Sequence, residues 1–116
     1  MFSIKPTTPE AKEKSKFRQS SVWKHFRYIL KKERKVDQIT GKPLYKGFQV
    51  HHLDMSLQNY KDLNPDKFRT YNRTTHEVIH WLYKYPNWEE VLENISRDLK
   101  IMDNLNHRQK ENTLFD

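Results

Sequence analysis

Four of the six histidines fall into two tight groups, and a fold for this chain has to account for both. The first group is the adjacent pair His51-His52, which closes an apolar run containing Phe48 and Val50. The second is His76 and His80, four residues apart within Thr74-Thr75-His76-Glu77-Val78-Ile79-His80. Residues four apart on a helix share one face, so these two imidazoles suit a shared metal ion. A strand ending in His-His can add one further ligand and one base.

The signals around the two groups give each an element to sit on. Residues 45–50 read as a short hairpin with Gly47 at its bend, Phe48 and Val50 alternating on one face. Neighbouring side chains of a strand point to opposite faces. Both histidines therefore serve one site only if the strand frays or twists there, or if a substrate lies between them. Asp54, just beyond, is placed to orient a histidine. Residues 55–66 read as a polar loop closed by the turn Asn64-Pro65-Asp66. Phe68, Arg69, Thr70 and Tyr71 read as a second short strand. A helix follows. Thr74 and Glu77 have the spacing of a capping box, with Asn72 as a rival cap. Val78, Ile79 and Leu82 are expected to face the core, with His76 and His80 on another side. His76 falls in the first turn, where the helix dipole disfavours a charged imidazole and so favours the neutral form that binds metal.

The flanks are simpler. Residues 1–16 contain Pro6, Pro9, two threonines and mixed charge, which reads as a flexible arm. Ser20 and Ser21 cap a helix starting near Val22, whose apolar face is Val22, Trp23, Phe26, Ile29 and Leu30. Around it lie Lys24, Arg27, Lys31, Lys32, Arg34 and Lys35, six cations against the single acid Glu33, or about +5. Residues 37–43, with Gly41 and Pro43, form a turn. Pro86 stops the histidine-bearing helix, and Asn87 opens another whose stripe of Trp88, Val91 or Leu92, Ile95, Leu99 and Met102 reads as packing. From residue 104 the chain is polar again. No internal repeat is visible. His25 and His107 stand alone and read as surface or helix-packing residues.

Composition bounds the function. At 116 residues this is one small domain, with 34% hydrophobic residues and a mean hydropathy of −1.09. A bound metal or partner would help hold such a chain together. There are no cysteines, which excludes disulfides and cysteine-ligated zinc. No run approaches membrane-spanning length and the first ten residues lack a signal-peptide core, so a soluble, cytoplasmic protein with no membrane partner is expected. A net charge of +7 and a pI near 9.6 point to a polyanionic partner, nucleic acid above all.

Strand, loop, strand and helix around two histidine groups resemble the HNH endonucleases, whose site is a ββα-metal finger. Phe48-Gln49-Val50-His51-His52-Leu53-Asp54 is similar to the first strand and its His-His end, and Asn72-Arg73-Thr74-Thr75-His76-Glu77-Val78-Ile79-His80 to the helix. The step from His52 to His76, followed by the single-turn step to His80, is similar to the colicin-type members. The resemblance covers under half of the chain.

It implies an α+β fold: a small ββα-metal finger flanked by an N-terminal basic helix and a C-terminal helix. The single domain would span residues 17–103, with the ββα core near 37–84, a flexible arm at 1–16 and a polar tail at 104–116. It implies that His51, His76 and His80 hold one divalent metal (Zn, Ni, Mg or Mn) while His52 is the general base, in a metal-dependent DNA endonuclease. Three neutral imidazoles leave an open position for a phosphate oxygen, as a catalytic site requires. Lys31, Lys32, Arg34, Lys35 and Arg73 would contact DNA phosphates. No small-molecule cofactor is implied. The protein would be a monomer or weak dimer, and because one finger holds one metal centre, cutting both strands would need a dimer or two successive events. A bacteriophage setting is implied as well.

Two departures stand out. Many HNH proteins carry CxxC knuckles for a structural zinc, where this chain has Asp37-Gln38-Ile39-Thr40 and Asn72-Arg73-Thr74-Thr75. That zinc should be absent, and flanking apolar helices must support the finger. The family's middle asparagine, which fixes the loop carrying the base, falls by spacing on Lys67, leaving Asn64 or Asn72 to take its role; Asn59 lies further off. The rival expectations are a non-catalytic DNA-binding protein with a structural metal-histidine site, and an interaction protein in which the finger has lost activity.

Overall fold

The computed structural model describes residues 8–107. Among them four helices and two strands follow in the order α1 (Pro9–Arg18), α2 (Ser21–Arg34), β1 (Gln49–His52), β2 (Phe68–Tyr71), α3 (Arg73–Tyr83) and α4 (Trp88–Leu105). Short helical turns at Leu57–Asn59 and Pro65–Lys67 lie between the strands. The class is α+β, as expected. The chain divides after Arg73 into two compact units.

The first unit opens with a correction. The arm expected over residues 1–16 is helical from Pro9 onward; residues 1–7 lie outside the described residues. The cause is end chemistry rather than an apolar stripe, since α1 buries no residue. The Thr8 hydroxyl accepts from the Ala11 N–H at 3.0 Å and Pro9 takes a first-turn position. Glu10 lies in the first turn, and Lys16 and Arg18 in the last, each complementing the helix dipole. α2 is capped as expected, Ser20 Oγ accepting from the Trp23 N–H at 3.2 Å. It stops at Lys35, which takes the left-handed conformation at φ 62°. The apolar face of α2 is split. Trp23 and Leu30 are buried, whereas Val22 stays 58% exposed.

The hairpin expected over residues 45–50 does not form. Gly47, at φ 92°, turns the chain, and the Phe48 N–H bonds the Tyr45 carbonyl, but β1 takes its partner from β2. The pairing is antiparallel, with Gln49 opposite Tyr71, Val50 opposite Thr70, His51 opposite Arg69 and His52 opposite Phe68. An isolated short hairpin is marginal in water, whereas this long-range pairing puts Phe48, Val50 and Phe68 in one core with Trp23 and Leu30. Phe17, Phe26, Leu44 and Leu63 pack against that core. Phe26 meets Phe68 edge-on at 4.8 Å.

The turn at residues 37–43 is present and has a fully buried carboxylate at its centre. Asp37 Oδ1 accepts from the N–H groups of Ile39 at 2.8 Å and Thr40 at 2.9 Å. Its Oδ2 accepts from the Asn72 N–H at 2.7 Å. The turn also runs along β2. The Gln38 N–H donates to the Thr70 carbonyl at 2.9 Å, and the Thr70 hydroxyl donates to the Val36 carbonyl at 2.9 Å.

The second unit holds α3 from Thr74 on, and α4. α3 begins at Arg73, directly after Asn72, so the helix starts ahead of the expected Thr74 cap. Val78, expected in the core, is 54% exposed, while Ile79 and Leu82 are half-buried. Asn87 precedes α4 without a side-chain capping bond. The stripe expected to pack is not buried: Trp88, Leu92, Ile95, Leu99 and Met102 remain 37% to 54% exposed. Two helices offer little surface with which to cover each other. α4 ends at Leu105, just inside the expected tail, and residues 108–116 lie outside the described residues.

Asp37→Ala should destabilise the protein by about 3–5 kcal/mol, because three N–H donors lose their acceptor at about 1–3 kcal/mol each. Urea unfolding, with Val22→Ala as an exposed control, measures this. A loss below about 1 kcal/mol would remove Asp37 from the centre of the fold.

Candidate metal centre

The strand stays regular through His52, so the pleat sends the two adjacent histidines to opposite faces. His51 shares its face with Tyr71, ring centroids 5.5 Å apart and planes at 30°, and is 8% exposed. His52 turns to the core face. Fraying, one of the conditions under which both rings could serve one site, does not occur here.

α3 supplies the second group. His76 and His80 are one turn apart, their Nε2 atoms separated by 3.0 Å and their rings at 78°. Which of the two nitrogens donates depends on the tautomers of the rings. The His76 imidazole is held below its ordinary pKa, by burial first and then by His80. It is therefore disposed to be neutral, as expected, burial and His80 outweighing the opposing charge of Glu77. One ring nitrogen from each of His51, His76 and His80 lies within 4.8 Å of the other two. Nitrogens on a tetrahedral ion, each about 2.0–2.1 Å from it, stand about 3.4 Å apart, so the three lie close enough to bind a metal ion. His52 is not a member of this group.

His52 occupies a different environment. It is 7% exposed, stacked on Tyr60 at 3.9 Å with planes 6° apart, and on Trp23 at 5.0 Å with planes 19° apart. Phe68 meets its edge at 4.7 Å. Its Nε2 lies 3.1 Å from the Tyr60 carbonyl oxygen. A carbonyl only accepts, so Nε2 carries the proton and Nδ1 keeps the lone pair. Burial lowers its pKa to about 4, with the Tyr60 carbonyl opposing and Arg18 and Lys14 adding to the shift. The ring is neutral at pH 7.

The asparagines divide differently from expectation. Asn64 caps the turn Pro65–Lys67, accepting from the Asp66 N–H at 3.1 Å. Asn72 is buried and ties down the other end of the unit, accepting from the Tyr45 N–H at 3.2 Å and donating to the Pro43 carbonyl at 3.0 Å. Neither holds the loop after His52. That loop is held by Asp54, which accepts from the Ser56 N–H at 3.0 Å and from Asn59 Nδ2 at 2.8 Å. These bonds depress the Asp54 carboxyl to about 2, so Asp54 organises the loop, and its charge opposes the lowering of the His52 pKa. Lys67, at the position expected for asparagine, gives its carbonyl to the Leu53 N–H at 2.9 Å and its ammonium to Asp62 at 2.9 Å.

The basic residues also separate. Arg34 donates to the carbonyls of Phe68 and Pro65, both at 2.7 Å, and to Gln38 Oε1 at 3.1 Å, so it serves as a cross-link between α2 and the β2 end. Lys31, Lys32 and Lys35 are exposed on and just after α2, Lys31 over the Phe48 ring and Lys32 over Tyr28. Arg73 opens α3 and is exposed. Sequence reasoning missed Tyr60, Asn59, Trp23 and Arg18 as partners of this region. One signal was available: Tyr60 is the single aromatic residue in the loop of residues 55–66.

Comparison with family models, curated proteins and solved structures finds no match for this chain.

Titration calorimetry with Zn²⁺ or Ni²⁺ tests the cluster. His51→Ala, His76→Ala and His80→Ala should each lower affinity by more than the roughly 10–100-fold typical of outer-shell changes. His52→Ala should leave it within about threefold. Undiminished binding in His76→Ala and His80→Ala would discard the cluster as a metal site.

Proposed function

We propose that this protein is a metal-dependent DNA endonuclease of the HNH type, its β1, β2 and α3 forming a ββα-metal finger that holds one divalent ion through His51, His76 and His80. The observation that carries the reading is the convergence of three imidazole nitrogens from two separate sequence groups within 4.8 Å. An all-imidazole donor set favours zinc, nickel, cobalt or copper, whereas Mg²⁺ and Mn²⁺, which prefer oxygen ligands, are the alternative working ions of a nuclease. Bound there, the ion would polarise the scissile phosphate and stabilise charge on the leaving oxygen.

The chain's own residues supply the remainder. Neutral His52, with Nε2–H fixed on the Tyr60 carbonyl, presents Nδ1 as the atom that takes a proton from the attacking water. Lys31, Lys32 and Lys35, with Arg73, would meet the DNA backbone, giving salt-sensitive binding with little sequence preference. Arg34 leaves that set, its guanidinium engaged by carbonyl oxygens.

One observation favours a second reading, a DNA-binding protein whose metal only stabilises the fold: the His52 ring is enclosed between Tyr60 and Trp23 and is only 7% exposed. Supercoiled plasmid incubated with Mg²⁺, Mn²⁺, Ni²⁺ or Zn²⁺, with EDTA as control, separates the two. The wild type should nick. His52→Ala should lose activity by about 10²–10⁴-fold, the usual worth of a general base, while retaining metal affinity and fold. A wild type that binds DNA and never cuts under any of these ions hands the protein to the second reading.

The lysine contacts have their own measure. Replacing Lys31, Lys32 and Lys35 together by alanine should weaken DNA binding and flatten the dependence of log K on log salt by about 2–3. An unchanged slope would place the DNA surface elsewhere.

A further inference from the structure

We infer that α1 acts as a clamp on His52: Arg18 and Tyr60 are positioning residues that fix the ring plane and the tautomer of the general base. The inference rests on the nuclease reading for its catalytic meaning, but its geometry lies wholly within the first unit. It begins with what Tyr60 does. Its carbonyl accepts the His52 Nε2 proton at 3.1 Å and its ring lies nearly parallel to the imidazole at 3.9 Å, so one residue sets both the proton position and the plane. Trp23 closes the opposite face and Phe68 the edge, which blocks rotation of the ring about its own axis.

Tyr60 sits in a loop, just after the turn Leu57–Asn59, and a loop backbone does not hold a carbonyl in place unaided. Beyond the bonds that Asp54 makes within the loop, α1 restrains Tyr60 itself. Arg18 donates to the Tyr60 hydroxyl at 2.6 Å, Phe17 meets the Tyr60 ring edge-on at 6.0 Å, and Lys14 donates to the Met55 carbonyl at 2.5 Å at the loop's other end. One helix thus anchors the loop at Met55, at Tyr60 and at Lys61, whose ammonium donates to Glu13 at 2.9 Å. These anchors stand in for the asparagine that the resemblance places at Lys67, where this chain has a lysine bonded to Asp62. Asn64 and Asn72 are engaged elsewhere. Pre-organising a base in this way acts on the chemical step and leaves DNA affinity alone, because misplacement of the reacting group raises the barrier.

The test uses the full chain with Arg18→Ala, Arg18→Lys and Tyr60→Phe. The last keeps the ring stack and the carbonyl and removes only the hydroxyl that Arg18 holds. Nitrogen NMR of the histidine rings reports the tautomer of His52, assigned by its loss in His52→Gln. Plasmid nicking reports kcat and KM. The wild type should show a single Nε2–H form. Arg18→Ala and Tyr60→Phe should mix the tautomers and lower kcat by about tenfold, with KM for plasmid and metal affinity within about twofold. Arg18→Lys should recover part of the loss. A raised KM at unchanged kcat in Arg18→Ala would make Arg18 a phosphate contact and overturn the clamp. Unchanged tautomer signals in both variants would overturn it as well. If the wild type does not cut, the nuclease reading falls by itself, and the NMR arm still decides whether α1 holds His52.

Discussion

The pairing of Gln49–His52 with Phe68–Tyr71 determines what every histidine of the first group can do. Strand side chains alternate, so a slip of one residue would exchange the faces of Val50 and His52 for those of Gln49 and His51. The register is held by apolar demand. Val50 lies opposite the fully buried Thr70, and His52 lies opposite Phe68, the largest fully buried side chain among the described residues. A slipped strand would drive Gln49 and His51 against Trp23 and Leu30 and withdraw Val50 from them. The adjacent histidines are thus not two copies of one function. The pleat assigns His51 to the face of Arg69 and Tyr71, and His52 to the aromatic core.

This division shows where sequence reasoning succeeds. Helix periodicity is local, so the shared face of His76 and His80 and the cap of α2 at Ser20 are legible from spacing alone. The second strand is legible too, because Phe68–Tyr71 follows a strong turn signal. The pairing partner of β1 is not, since a strand pattern names a face and not a neighbour. α1 escapes for the opposite reason. It has no apolar stripe, and only the Thr8-Pro9-Glu10 opening marks it. The surroundings of His52 lie further out of reach. Trp23 and Phe68 come from distant segments, and Arg18 reaches Tyr60 across 42 residues. Alternation predicts that a regular strand sends adjacent histidines to opposite faces, and the pairing of β1 through His52 is regular.

A chain with no cysteine and a third of its residues hydrophobic needs cross-links of another kind. Asp37 and Asn72, the first residues of the two stretches set against cysteine knuckles, are joined directly by the Asn72 N–H on Asp37 Oδ2 at 2.7 Å. The same carboxylate closes its own turn, and the Asn72 side chain returns to Pro43 and Tyr45. The end of β2 is therefore supported by a buried hydrogen-bond network in addition to the apolar core that α2 shares with β1 and β2. Such a network stabilises only when complete, since each orphaned buried donor costs about 1–3 kcal/mol.

The positive charge follows the same logic. Arginine and lysine count equally toward the +7, yet they do different work here. Arg27 donates to the Phe48 carbonyl at 2.8 Å, Arg34 to those of Phe68 and Pro65, and Arg69 to those of Asp66 and Phe68. A planar fork with five donors suits this stapling of strand ends and turns, and burial lowers the pKa of Arg27 and Arg34. Lys31, Lys32 and Lys35 keep their ammonium groups at the surface. A polyanion approaching α2 therefore meets the lysines, while these three arginines stay bonded into the fold that holds the histidines apart.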